Sequence, residues 1–212
     1  STATRQLPIY CVQRDQKVCS ISFDAAWGAD NTQKILDVLS EYGVTCTFFV
    51  VGNWADQYPE QAKAIVESGN ELMNHSNAHD HFNALSADAI IADVNTCNDK
   101  IEALTGVRPT LIRCPFGEYD DPVISAIRSI GMEPIQWDVE ALAAPGSARG
   151  ASDTRAFCRL SGPEGRFKIQ LLQIRRRIHI FLNRVLVVPH LLPENISRFK
   201  RDGYFFNKFI VI

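Results

Sequence analysis

Short apolar runs alternate with stretches punctuated as helices between residues 18 and 138, and that alternation narrows the possible folds more than any other feature of the chain. Residues 18–24 are apolar and β-prone and break at Trp27-Gly28. Asn31 or Asp30 is placed to cap a helix running to about Tyr42, with Ile35, Leu36, Leu39 and Tyr42 as its buried face and Gly43 as its stop. Residues 44–51 are continuously apolar, the pattern of a parallel strand covered on both faces. Pro59 opens a second helix and Gly69 closes it. Glu71-Leu72-Met73 reads as a short strand, and Ser86 caps a helix through about Leu104 that Gly106 ends. Residues 110–113 form the next strand, 120–130 a helix ended by Gly131, and 133–137 a strand delivering Asp138. Leu7-Pro8-Ile9-Tyr10 has the character of a short edge strand.

Such an order predicts an α/β fold built from right-handed crossovers. Parallel strands present their C-terminal ends on one face, and Asp24, His75, His79, Arg113 and Asp138 all stand at such ends. They are therefore expected to form one cluster. Within it, Asn74-His75-Ser76-Asn77-Ala78-His79 places two imidazoles four residues apart, a spacing that turns both rings toward one point on a helical turn or tight loop, as a shared metal ion requires. Asp24 is the candidate third group.

The rest of the chain bounds the function. A formal net charge of −2 argues against a nucleic-acid or anionic-membrane binder, and no apolar run reaches the roughly 20 residues of a membrane helix. Six cysteines form no CxxC pair, and Cys19 and Cys46 lie in apolar runs as buried free thiols would. The 212 residues suit a single domain, 1–212. From 143 to 165 the composition is that of a loop, 167–188 mixes apolar residues with Arg175-Arg176-Arg177 without a clean period, and 198–212 recovers a helix end and a final strand. His81 reads as a solvated loop residue, and the arginine run reads as a solvated face.

Five ordered motifs lie across residues 7–140: Ser22-Phe23-Asp24-Ala25-Ala26-Trp27-Gly28, Thr47-Phe48-Phe49-Val50-Val51-Gly52, His75-Ser76-Asn77-Ala78-His79, Arg113-Cys114-Pro115-Phe116-Gly117 and Gln136-Trp137-Asp138-Val139. Together they resemble the polysaccharide deacetylase family, carbohydrate esterase family 4, and its sporulation-type branch in particular. The resemblance implies a distorted (β/α) barrel, NodB-like and related to the TIM barrel, with about seven parallel strands. It implies a divalent metal, zinc first with cobalt or nickel as alternatives, and hydrolysis of N-acetyl groups on amino-sugar polymers such as peptidoglycan or chitin. His75 and His79 carry over as ligands, with Asp24 as general base toward the attacking water and as a possible ligand. Arg113 carries over as the cation that orients Asp24, Phe116 as the backbone donor to an oxyanion, Asp138 as an electrostatic support, and Trp27 and Trp137, with Phe116, as substrate-binding residues that offer a sugar an apolar wall. A polysaccharide substrate, a monomer and an extracytoplasmic, secreted or cell-wall setting follow as further expectations, with an upstream signal segment removed before Ser1.

The motifs depart from the family at stated positions. The usual second aspartate, a metal ligand, is Ala25 here, as in much of the sporulation-type branch, so the third ligand falls to Asp24, water or Asp30. Cys114 stands where the family prefers proline or another small residue. The final motif, which supplies a general-acid histidine, has no clean match: His179, His190 and Asn183 are the candidates, and the family pattern is absent from about 143 to 191.

Overall fold

The first strand, β1 (Ile21–Ala25), owes its position to a sequence that is buried at four consecutive residues, an arrangement only a strand covered on both faces provides. The computed structural model describes residues 5–10, 12, 20–137, 139–141 and 209–211. Next come α1 (Thr32–Tyr42), β2 (Thr47–Val50), α2 (Gly52–Gln57), α3 (Pro59–Glu67) and β3 (Glu71–Asn74). They are followed by α4 (Ala87–Thr105), β4 (Leu111–Ile112), α5 (Asp121–Ser129), β5 (Glu133–Pro134), β6 (Val139–Ala141) and β7 (Phe209–Val211).

The helices start and stop where side-chain chemistry directs. In α1, Ile35, Leu36 and Leu39 are buried as expected, Tyr42, expected on the same face, is instead exposed at the helix end, and Gly43 ends the helix in the left-handed conformation at φ 60°. Its start differs from expectation: Asn31 makes no side-chain cap, and the Thr32 N–H instead bonds the Ala29 carbonyl at 3.0 Å, a backbone turn replacing the capping side chain. Ser86 Oγ accepts from the Ala89 N–H to cap α4, and Asp120 Oδ1 accepts from Val123 N–H at 2.9 Å to cap α5. The sequence reading did not foresee α2, which begins at a glycine without a side-chain cap and is held by burial of Trp54 and Ala55.

The sheet has the order β5-β4-β3-β2-β1-β7-β6. Strands β1 to β5 are mutually parallel, in register Asp24↔Phe49 and Phe49↔Met73 at the centre. The expectation of parallel strands throughout does not extend to β7, which pairs antiparallel with both β1 and β6. A strand entering beside β1 in the opposite direction needs no crossover helix, which every parallel neighbour does. The expected edge strand at 7–10 reduces to an isolated parallel bridge between Ile9 and Ile135.

Two apolar clusters pack among the described residues. One joins Phe23, Phe48 and Val50 to Ile35, Leu36, Leu39, Trp54 and Ile65, and Ala25 belongs to it. The other joins Ile112 and Cys114 to Ile90, Val94, Val123 and Ile127. No helix among the described residues is long and apolar enough to cross a membrane.

Candidate active site

Parallel pairing of β1 to β4 aligns their C-terminal ends, and the chemically active side chains emerge there. Asp24 leaves β1, residues 75–79 follow β3, and Arg113 follows β4. The cluster expected of Asp24, His75, His79 and Arg113 is thereby formed.

Its centre is buried. Arg113 has 0% exposure, and Asp24 and His75 have 6% and 4%. Arg113 Nη1 donates to Asp24 Oδ1 at 2.6 Å, Nη2 donates to Ser22 Oγ at 3.0 Å, and the guanidinium carbon stands 4.1 Å from the centre of the Phe49 ring. A guanidinium aligned on a carboxylate and laid over an aromatic face is an arrangement lysine cannot reproduce. Ser22 and Phe49 were not singled out in the sequence, although both lie in the quoted strand motifs. Their roles depend on which face of the strand they occupy, and a continuously buried strand gives no alternation from which to read it.

His75 supplies the second half of the centre. Its Nδ1 lies 2.7 Å from the Arg113 carbonyl oxygen, which can only accept, so Nδ1 carries the proton and Nε2 is the basic nitrogen. Nε2 faces Asp24 Oδ2 at 3.9 Å. Two atoms bonded to one zinc at about 2.0–2.2 Å each lie roughly 3–4 Å apart, so a cation fits between them. The His79 ring lies 5.0 Å from that of His75, edge to face. Nitrogen and oxygen donors of this kind suit zinc, cobalt or nickel. Among the described residues no three His, Cys, Asp or Glu side chains close into a complete metal cage. Ala25, at the position of the family's second aspartate, is buried within an apolar cluster. Asp30 lines a groove with Thr32, Gln33, Tyr58 and Glu60.

The loop carrying the histidines is a tight loop rather than a helical turn. Ser76 and His79 both take left-handed backbone conformations, at φ 69° and 63°, and Phe116 across the cleft takes a third at φ 58°. Such residues cluster where surrounding structure over-determines a functional geometry. The Ser76 N–H bonds Asn74 Oδ1 at 2.7 Å, and the His79 N–H bonds Ser76 Oγ at 2.7 Å. From below, Gly52 N–H donates to the Ser76 carbonyl and Asn53 N–H to that of Asn77.

Aromatic rings wall the cleft. Trp27 and Phe116 are half exposed, and their rings lie 4.8 Å and 4.5 Å from that of His79. His81 lies flat on Phe116 at 4.0 Å and pairs with Glu118 at 2.8 Å, so it is exposed but fixed rather than merely solvated. In the turn holding Phe116, the Gly117 N–H bonds the Cys114 carbonyl and the Glu118 N–H bonds the Pro115 carbonyl. Trp137 stands behind Arg113, 5.7 Å from the guanidinium carbon, and belongs to the support of the site as much as to its wall. Arg113 Nε is buried and has no hydrogen-bond partner among the described residues. Asp138, His179, Asn183 and His190 lie outside the described residues.

The model of the family described as polysaccharide deacetylase matches residues 12–135. The peptidoglycan-N-acetylmuramic acid deacetylase PdaC of Bacillus subtilis is 36% identical over 129 residues, covering 61% of this chain and 27% of that protein. PdaA of the same organism, also a peptidoglycan-N-acetylmuramic acid deacetylase, is 29% identical over 131 residues, covering 61% and 50%. Among solved structures, a wild-type CE4 family pseudoenzyme from Bacillus anthracis superposes with a TM-score of 0.54 at 32% identity, covering 56% of this chain and 42% of that one. The chain spans about half or less of the length of these relatives.

Proposed function

We propose, on the premise that this chain belongs to the polysaccharide deacetylase family, that it is a metal-dependent hydrolase removing N-acetyl groups from amino-sugar polymers of the peptidoglycan or chitin type. The observation that carries the reading is the facing of His75 Nε2 and Asp24 Oδ2 at 3.9 Å, with Arg113 bonded to both residues. A basic nitrogen and a carboxylate oxygen held that close, in a buried setting, call for a cation or a proton between them. His75 and His79 would hold the metal, with Asp24 beside it; zinc is the first choice. When bound, the ion polarises the acetamide carbonyl and favours deprotonation of the attacking water.

The remaining chemistry belongs to the protein. Arg113 fixes the Asp24 carboxylate so that Oδ2 faces the cleft, the position of a general base toward water. The main chain at Phe116, held open by its left-handed conformation, is the donor proposed for the oxyanion. Trp27 and Phe116 form the half-exposed wall on which a pyranose ring stacks. Asp138 is proposed to support the site through Arg113, whose buried Nε is the donor such a role requires. His179 and His190 stand as the candidates for general acid. On this reading the protein works as a monomer outside the cytoplasm, where its polymer lies.

The experiment is acetate release from N-acetylated chitooligosaccharides and from peptidoglycan, with zinc and with chelator. Acetate formed only with metal supports the reading; none from either polymer, with zinc bound, supports a second one. That second reading, a non-catalytic glycan- or metal-binding member, draws on Ala25 lying in the apolar cluster and on the likeness to a pseudoenzyme. An amidase acting on a non-sugar carbon–nitrogen bond would show itself in a panel of simple acetamides.

A further inference from the structure

The site described above depends on where residues 75–79 stand, and two of them hold a conformation that residues with a Cβ rarely adopt. After a left-handed residue, successive backbone N–H groups converge and form a concave nest for an anion. Following Ser76, the N–H groups of Asn77 and Ala78 converge in this way, and the anion is supplied by the chain itself. Asp93 Oδ1 accepts from Asn77 N–H at 2.8 Å and Oδ2 from Ala78 N–H at 3.2 Å.

Asp93 reaches the loop from a firm base. It lies on α4, whose Ile90, Val94, Cys97 and Ile101 are fully buried. The neighbouring Val94 carbonyl accepts from Asn74 Nδ2 at 3.0 Å, and Asn98 Oδ1 accepts from the same amide at 2.8 Å. One face of α4 thus holds both ends of the turn that begins the histidine loop. Burial pushes the Asp93 carboxyl above its ordinary range and nearby Asp80 adds to this, while the two loop N–H groups and Lys100 act in the opposite direction. No motif of the sequence includes Asp93.

We propose that Asp93 is the positioning residue of the metal-binding loop: its carboxylate fills the nest formed by the Asn77 and Ala78 N–H groups and so fixes the backbone that aims His75 and His79. The proposal rests on those two histidines being ligands. A merely structural Asp93 would stabilise α4 without acting on the loop, and Ser86→Ala, which removes the N-cap of the same helix, imitates that case.

The test compares Asp93→Asn, Asp93→Glu and Ser86→Ala with wild type by two readouts. The first is amide exchange at residues 77–79 in metal-free protein, and the second is zinc affinity by competition with a chelator. Asp93→Asn is expected to speed exchange at Asn77 and Ala78 and to weaken zinc about 10- to 100-fold, while Ser86→Ala lowers the melting temperature and moves neither. Wild-type exchange and zinc affinity in Asp93→Asn, or both effects reproduced by Ser86→Ala, would overturn it. Should circular dichroism show Asp93→Asn unfolded, Asp93→Glu decides on the same readouts. A wild-type protein that binds no zinc removes the proposed metal site, and exchange then decides on Asp93 alone.

Discussion

The backbone carbonyl of Arg113 accepts a hydrogen bond from His75 Nδ1 at 2.7 Å, while the guanidinium of the same residue donates to Asp24 at 2.6 Å. One buried arginine therefore sets both the tautomer of the histidine and the direction of the carboxylate. The link is built into the sheet, since Arg113 N–H also bonds the Asn74 carbonyl at 3.0 Å and so ties the ends of β3 and β4 together.

Replacing Arg113 separates these roles. Arg113→Met keeps the main-chain bond to His75 but leaves Asp24 buried without its cation. Losing one partner of a buried pair costs about 3–5 kcal/mol, so urea denaturation is expected to show a loss of that order. Arg113→Lys keeps the charge and loses the aligned fork; it is expected to fold and to lose about 10- to 100-fold in acetate release, as when a group supporting a metal ligand is removed. Wild-type stability in Arg113→Met would refute the buried-pair account.

Gly52 packs under the histidine loop with no room for a side chain. A Cβ there would lie 2.6 Å from Asn77 Oδ1 and 3.2 Å from the main chain of both Asn77 and Cys97. The loop is clasped from above by Asp93 and from below by the Gly52 N–H, so it cannot move aside freely. Gly52→Ala is expected to lower stability by about 1–3 kcal/mol, the usual cost of overpacking, and to weaken zinc binding. Thermal melting of the metal-free protein and a zinc titration together check both effects.

Much of this was legible beforehand, for identifiable reasons. Gly43 and Gly106 end helices where a left-handed residue is required, and Asp24, His75, His79 and Arg113 sit at strand ends, so parallel pairing alone brings them together. Other features leave no trace in a linear pattern. The Asp93 carboxylate acts on main-chain N–H groups sixteen and fifteen residues away, a partnership no side-chain motif encodes. The direction of β7 depends on where residues 209–211 enter the sheet, not on their composition.

Phe116 carries backbone strain and a half-exposed ring at once. Phe116→Gly relieves the left-handed strain, worth about 1–2 kcal/mol, and forfeits stacking on His79 and His81, worth about 0.5–1.5 kcal/mol per pair. Two such pairs amount to about 1–3 kcal/mol and offset the relieved strain or slightly exceed it, so stability is expected to fall by no more than about 2 kcal/mol while KM for an N-acetylated oligosaccharide rises with kcat less affected. A fall confined to kcat would assign the ring to transition-state chemistry instead of substrate binding.

The buried thiols supply a prediction about pH. Cys46, Cys97 and Cys114 are free, and burial pushes each from the ordinary 9.0 up to about 12. A raised thiol pKa means the fold favours the neutral form. The resulting stability is fully present below the unfolded value near 9 and is lost as pH rises through about 12. Around pH 8 these three thiols are expected to resist iodoacetamide in the native protein and to react once it is unfolded in urea, as read by mass mapping of each cysteine peptide. Denaturation midpoints are expected to hold steady, so far as these groups contribute, up to about pH 9 and then to fall. Rapid native labelling of Cys97 at pH 8 would contradict its burial against Val50 beneath the histidine loop.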